Sequence, residues 1–286
     1  MRIPLFALFA FLAIPRPSLA STLYATDSTS ATLRIIDQTT AAQTVVGTIG
    51  AGLSPADLAS DTRSGSFRLW TVDRSIFNAE KLYRIDPATG AGTLVGNFGV
   101  SPNPTALAFD PVAAKLYGTY SFLDAPGVQL FLVDTNTAAL TSIGGRTSHA
   151  LEGLGTDNSG QLFMLVSFGS LAPHDLYRID PTTGAANFVL HTDLPTSSSP
   201  LVVSDIAIRA EDGLAFVILY SSSGNSLYTL DLGTGLSTPV GSLNINPSSH
   251  LTGLAFSPAV PEPPAISSIA LAVALATARR KRTAPN

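Results

Sequence analysis

The sequence predicts an all-β fold: a five-bladed β-propeller of four-stranded blades, closed into a ring by the C-terminal strand. Three observations predict it. A ten-residue phrase returns almost unchanged, its closing aspartate recurs through the whole body, and the strand types at the two ends of the body complete one another.

The phrase is Leu82–Ala91 (LYRIDPATGA), which returns as Leu176–Ala185 (LYRIDPTTGA) with one difference in ten. Weaker copies are Leu33–Asp37, Leu130–Asp134 and Leu227–Asp231. The closing aspartates Asp37, Asp86, Asp134, Asp180 and Asp231 stand 49, 48, 46 and 51 residues apart. That period belongs to propeller blades, not to short solenoid repeats. Each aspartate should start a turn: its short side chain accepts a turn amide, Pro at the next position presets φ, and Gly takes the left-handed position.

Each period reads as four short strands. The first is rich in Ala and Gly: Asp57–Ala59, Leu107–Phe109, Gly153–Gly155, Asp205–Ile208 and Gly253–Phe256. The second is Leu23-Tyr24, Leu69-Trp70, Leu116-Tyr117, Leu162-Phe163 or Ala215-Phe216, and the recurrence of Tyr24, Trp70, Tyr117 and Phe163 at blade period marks packing between blades. The third ends in the aspartate. The fourth resembles Gly92–Gly96 (GTLVG) or Ser237–Gly241 (STPVG), joined to the third by a tight hairpin. The body begins on a second strand and ends on a first strand. One blade is therefore shared between the two ends, and the ring has no open seam. The phrase is similar to the repeats of NHL-like and related bacterial propellers, a resemblance that implies the fold and leaves the function open.

Composition narrows the function classes. The 286 residues carry a net charge of −4, which offers nucleic acid no basic surface. There is no cysteine, so disulfides, thiolate metal sites and cysteine nucleophiles are excluded together. The mean hydropathy of +0.30 is raised by two apolar ends, which stand apart from the fold.

At the N-terminal end, Met1-Arg2 precedes an unbroken apolar run of ten, Leu5–Ile14, and then Ser18-Leu19-Ala20. The run is too short for a stable span of roughly 20 residues, and the small residues fit a signal peptide, residues 1–20, cut between Ala20 and Ser21. The propeller then occupies residues 21–258 and a tail residues 259–286.

In the tail, Val260-Pro261-Glu262-Pro263-Pro264 leads into an apolar run, Ala265–Ala278, and the basic cluster Arg279-Arg280-Lys281-Arg282. This three-part tail resembles the PEP-CTERM sorting domain of exported proteins in Gram-negative bacteria. The resemblance covers Val260–Arg282. It implies recognition and processing by an exosortase-like membrane protease at Pro261, Glu262 and Pro263. The apolar run serves as a short transmembrane helix and Arg279, Arg280, Lys281 and Arg282 as its cytoplasmic stop. This chain departs from the family in two respects. Its apolar run lacks glycine, and its 14 residues make roughly 21 Å of helix against roughly 30 Å of hydrocarbon.

Catalytic constellations are sparse. The four histidines show no HxxxH or HxH spacing, so no zinc site is expected. Asp157–Gly160 reads as a hairpin turn, and Gly90-Ala91-Gly92 and Gly144-Gly145 as hairpin glycines that are not phosphate loops. Asp57, His149, Glu152, Asp205 and His250 cluster at or just before the starts of first strands, which ring one mouth of the channel. There they would hold a calcium ion, carry out acid–base work, or merely cap strands. The expected function is a non-enzymatic surface or extracellular-matrix protein, with no cofactor, that offers loops to a polysaccharide or protein partner. It would be exported to the periplasm, cell surface or medium. The alternative is a metal-dependent hydrolase or lactonase-like enzyme.

Overall fold

A computed structural model describes residues 19–63, 65, 67–74, 80–99, 103–122, 125–147, 153–167, 173–196, 202–221, 224–243 and 250–261. The leader helix and the apolar tail helix expected from sequence lie outside these residues. Ser21–Ala259 form one compact unit. In the other unit, β1 (Leu19–Ala20) pairs antiparallel with β22 (Val260–Pro261).

Within the compact unit the chain makes five antiparallel four-stranded sheets. β2 (Leu23–Asp27), β3 (Thr32–Ile36) and β4 (Gln43–Thr48) begin blade 1. Blade 2 is β5 (Ala59–Asp61), β6 (Arg68–Asp73), β7 (Lys81–Ile85) and β8 (Gly92–Asn97). Blade 3 is β9 (Asn103–Asp110), β10 (Lys115–Phe122), β11 (Ala125–Val133) and β12 (Leu140–Thr147). Blade 4 is β13 (Gly153–Thr156), β14 (Leu162–Ser167), β15 (His174–Ile179) and β16 (Ala186–His191). Blade 5 is β17 (Val202–Ile208), β18 (Ala215–Ser221), β19 (Gly224–Leu230) and β20 (Ser237–Ser242). The innermost strand of blade 1 is the last to be made, β21 (Leu251–Phe256), which pairs with β2 from Leu23↔Phe256 to Asp27↔Leu251. The shared blade foreseen from strand bookkeeping is thus present.

The core is divided among the blade boundaries. One apolar cluster joins blades 2 and 3 through Trp70, Leu82, Phe109 and Tyr120, and others join 3 with 4, 4 with 5, 5 with 1 and 1 with 2. Trp70 stacks on Phe109 of the next blade with ring centroids 5.4 Å apart, so the recurring aromatics serve packing between blades. Second strands are buried along both faces, as in β2, while outer strands such as β4 and β8 are half-exposed throughout. Radial position thus explains why alternation is weak inside and polarity high outside.

The repeated aspartate turns lock neighbouring blades at the outer rim. The Asp86 side chain accepts the Ala88 N–H at 2.8 Å, and the Gly90 N–H closes the turn on the Asp86 carbonyl at 2.8 Å. Gly90 (φ 77°) then lies directly against Gly47 of blade 1. The same contact joins the Ala138 turn to Gly96, the Gly184 turn to Gly144, the Gly235 turn to His191 and the Ala41 turn to Gly241. Glycine was expected at every left-handed turn position, but Ala41 (φ 58°) and Ala138 (φ 63°) occupy two of the five. Each is buried against the preceding blade, where a methyl fills space at a left-handed cost of about 1–2 kcal/mol. Gly144 is not a hairpin glycine. It lies within β12, where the turn of blade 4 leaves no room for a side chain.

Candidate functional site

The inner strands run in one direction, from an upper face where they begin to a lower face where they end. Asp57, Ala106, Gly153, Asp205 and Gly253 hold equivalent positions in the upper halves of these strands or just before them. Asp57 and Asp205 are both wholly buried, at 0% exposure, so neither lines an open mouth. They face each other inside the ring, close enough for each carboxyl to act on the titration of the other.

Each carboxyl also ties two blades together. Asp57 Oδ1 accepts its neighbour's Leu58 N–H at 2.5 Å, and Oδ2 accepts Leu107 N–H of blade 3 at 2.6 Å. Asp205 repeats the pattern, taking Ile206 N–H at 2.7 Å and Leu254 N–H of blade 1 at 2.6 Å. Small residues make this close approach possible. A Cβ on Gly253 would lie 2.5 Å from the Asp57 carbonyl carbon and Leu58 nitrogen, and one on Gly153 3.1 Å from Ile206 nitrogen.

Burial raises the pKa of Asp57, and it raises that of Asp205 further, with the Asp57 charge adding to the effect. The pair therefore retains a proton well above the ordinary carboxylate range. With backbone N–H groups directed at all four oxygens, the environment suits a proton-sharing pair. Among the described residues no group of three or more His, Cys, Asp or Glu side chains is placed to hold a metal.

The other candidates are dispersed. His250 precedes β21 at the upper face, with its ring 4.2 Å from that of Tyr220 and its carbonyl accepting Ser28 Oγ–H at 3.1 Å. Burial, reinforced by Arg74, lowers its pKa and Asp27 opposes the shift. His149 and Glu152 lie outside the described residues, as do Glu262, Pro263, Arg279, Arg280, Lys281 and Arg282. Ala20 and Pro261 belong to the β1–β22 pair, and Ser21 is a buried residue at the start of the compact unit.

The upper face also carries ionisable groups that the sequence did not single out. Burial pushes the Glu80 carboxyl up to about 7, opposed by Arg74. Glu80 Oε2 and the Tyr120 hydroxyl are both buried without a hydrogen-bond partner, and the Glu80 charge adds to the burial that raises Tyr120. Tyr120 was legible only as the aromatic three residues after Tyr117, and nothing in the Glu80 context marks it. At the lower end of the channel the inner strands enclose a cavity of about 50 Å³ lined by residues such as Leu58, Leu107, Leu154, Ile206 and Leu254. It has room for a few waters.

No protein-family model matches the sequence, and no curated protein matches it. Solved structures resemble it in architecture. A PQQ-bound aldose sugar dehydrogenase from Streptomyces coelicolor is 16% identical, with 76% of this chain and 77% of that one covered at a TM-score of 0.46. TolB from Acinetobacter baumannii is 12% identical, with 85% and 67% covered at 0.46. A protein of unknown function from Bacteroides thetaiotaomicron is 18% identical, with 76% and 54% covered at 0.50, so this chain spans about half the length of that one. Likeness at these identities concerns architecture alone.

Proposed function

We propose that this chain is an exported β-propeller that acts outside the cytoplasm as a non-enzymatic binding or structural module. On this reading a leader is cut between Ala20 and Ser21. The tail from Val260 to Arg282 then holds the chain at the membrane until an exosortase-like protease acts at Pro261-Glu262-Pro263. The partner is an extracellular polysaccharide or surface protein.

One observation carries the reading beyond the sequence. The chain enters and leaves the propeller at one place on the lower face. Thr22 N–H donates to Ser257 Oγ at 2.8 Å, and Ser257 N–H to the Thr22 carbonyl at 2.8 Å. The opposite, upper face of the propeller carries Arg74, Tyr220 and His250, the groups that this reading offers to a partner. The competing hydrolase reading needs carboxylates open to a cation. Asp57 and Asp205 are wholly buried, and among the described residues no third His, Cys, Asp or Glu joins them as a metal-holding group.

The test is a pull-down of the producer's extracellular polymer with the purified protein, followed by thiol footprinting. The cysteine-free chain makes single Ser30→Cys (upper) and Thr39→Cys (lower) variants clean reporters. Bound polymer is expected to protect Ser30→Cys from a maleimide and leave Thr39→Cys reactive. Equal protection of both, or no captured polymer or surface protein, would overturn the proposal. Export is checked separately: mass spectrometry of the exported protein should find Ser21 first.

A further inference from the structure

We infer that the Asp57–Asp205 pair is a proton-held latch on β21, the strand that completes the ring. The inference rests on the placement of the pair and is independent of the export reading. Asp205 Oδ2 accepts the Leu254 N–H of β21, and Asp57 packs its backbone against Gly253 of the same strand. Both aspartates therefore touch the one inner strand that arrives from the far end of the chain. With a single proton between them the carboxyls attract across the ring. With none, two negative charges face each other in a site closed to water.

The surroundings supply no relief. Among the described residues, the one ionisable group acting on each aspartate is the other. The inner strands carry further charge only at their lower ends, where Asp61 is bound by Arg63 and Arg209 by Asp212, with Asp110 ending β9. At the upper end His250 precedes β21, and Glu152, which precedes β13, lies outside the described residues. A carboxyl whose folded pKa is raised contributes stability that is complete below its unfolded pKa and is lost as pH rises through the folded value. The latch therefore holds in mild acid and loosens in mild alkali.

The experiment compares thermal melting and amide exchange of the purified full-length chain with those of Asp205→Asn and Asp57→Asn. The wild-type melting temperature is expected to fall by roughly 5 °C or more between about pH 5 and pH 9. Asp205→Asn keeps a donor and leaves Asp57 as the one ionisable carboxyl of the pair, so its melting temperature should fall by less than that of the wild type over the same range. After correction for intrinsic rates, β21 amides should lose about tenfold protection relative to those of β10 in the wild type, and not in Asp205→Asn. A flat wild-type melt, a variant that keeps the wild-type slope, or equal loosening of β10 and β21 would overturn the latch. If neither amide variant folds, the wild-type comparison of β21 with β10 decides alone.

Discussion

Aspartates at two radii of this propeller are put to opposite use. At the outer rim Asp37, Asp86, Asp134, Asp180 and Asp231 sit in exposed turns. Hydrogen bonds from the turn hold their carboxyls below the usual range, led by the Thr39 hydroxyl at Asp37 and the Ala88 N–H at Asp86. At the inner ring Asp57 and Asp205 accept the same kind of backbone N–H, yet burial raises both and the Asp57 charge raises Asp205 as well. Hydrogen bonds donated to a carboxylate lower its pKa at both radii. Inside the ring desolvation wins. The outer set is repeated because every blade needs a turn. The inner set is not, because five carboxyls cannot share one buried space.

Substitutions that break the ring test the comparison most severely. Ending the chain after Asn246 removes β21 and strips a buried strand from blade 1, and loss of a cooperative melt is expected. Ending it after Pro258 should leave the melting temperature unchanged, and equal melts would count against closure. Gly253→Val drives a side chain into the Asp57–Leu58 backbone and should cost about 3 kcal/mol, read from the urea midpoint. At the rim the effects are smaller. Gly47→Ala meets the Thr89 carbonyl of the next blade and should cost about 1–2 kcal/mol by the same measurement. Ala41→Gly should instead stabilise by about 1 kcal/mol, since glycine holds the equivalent turn position in three blades.

The smallest effect is expected from Asp86→Ala, which removes one exposed turn acceptor. Its signature is the pH at which the difference appears. The lowered rim carboxyls contribute stability above their unfolded pKa and lose it as pH falls through their folded values, which for Asp37 and Asp180 are about 2. Acid titration followed by circular dichroism should show the mutant and wild type converging in strong acid. The inner pair acts on the alkaline side. A wild-type stability profile that falls on one side alone would show that only one of the two sets matters.

The rim was legible in the sequence because its chemistry is local. An aspartate, two backbone amides and a left-handed residue lie within five positions, and the pattern must recur wherever a blade turns. Strand order and the shared blade followed from the same period. The inner pair was legible as two acids at strand starts. Their meeting was not, since it depends on ring geometry and on Gly253 and Gly153 standing beside them. Glu80 and Tyr120 left no signal because their proximity arises from packing between blades 2 and 3.

The bond between Thr22 and Ser257 spans 235 positions of sequence. Loop closure over such a length is slow compared with forming any hairpin inside a blade. A chain emerging N-terminus first lays down β2, β3 and β4 and then waits through four complete blades for β21. Throughout that interval the inner edge of β2 is an unpaired strand, able to bind whatever extended segment passes first. Assembly of this ring therefore has its hazard at the beginning of the chain and its remedy at the end.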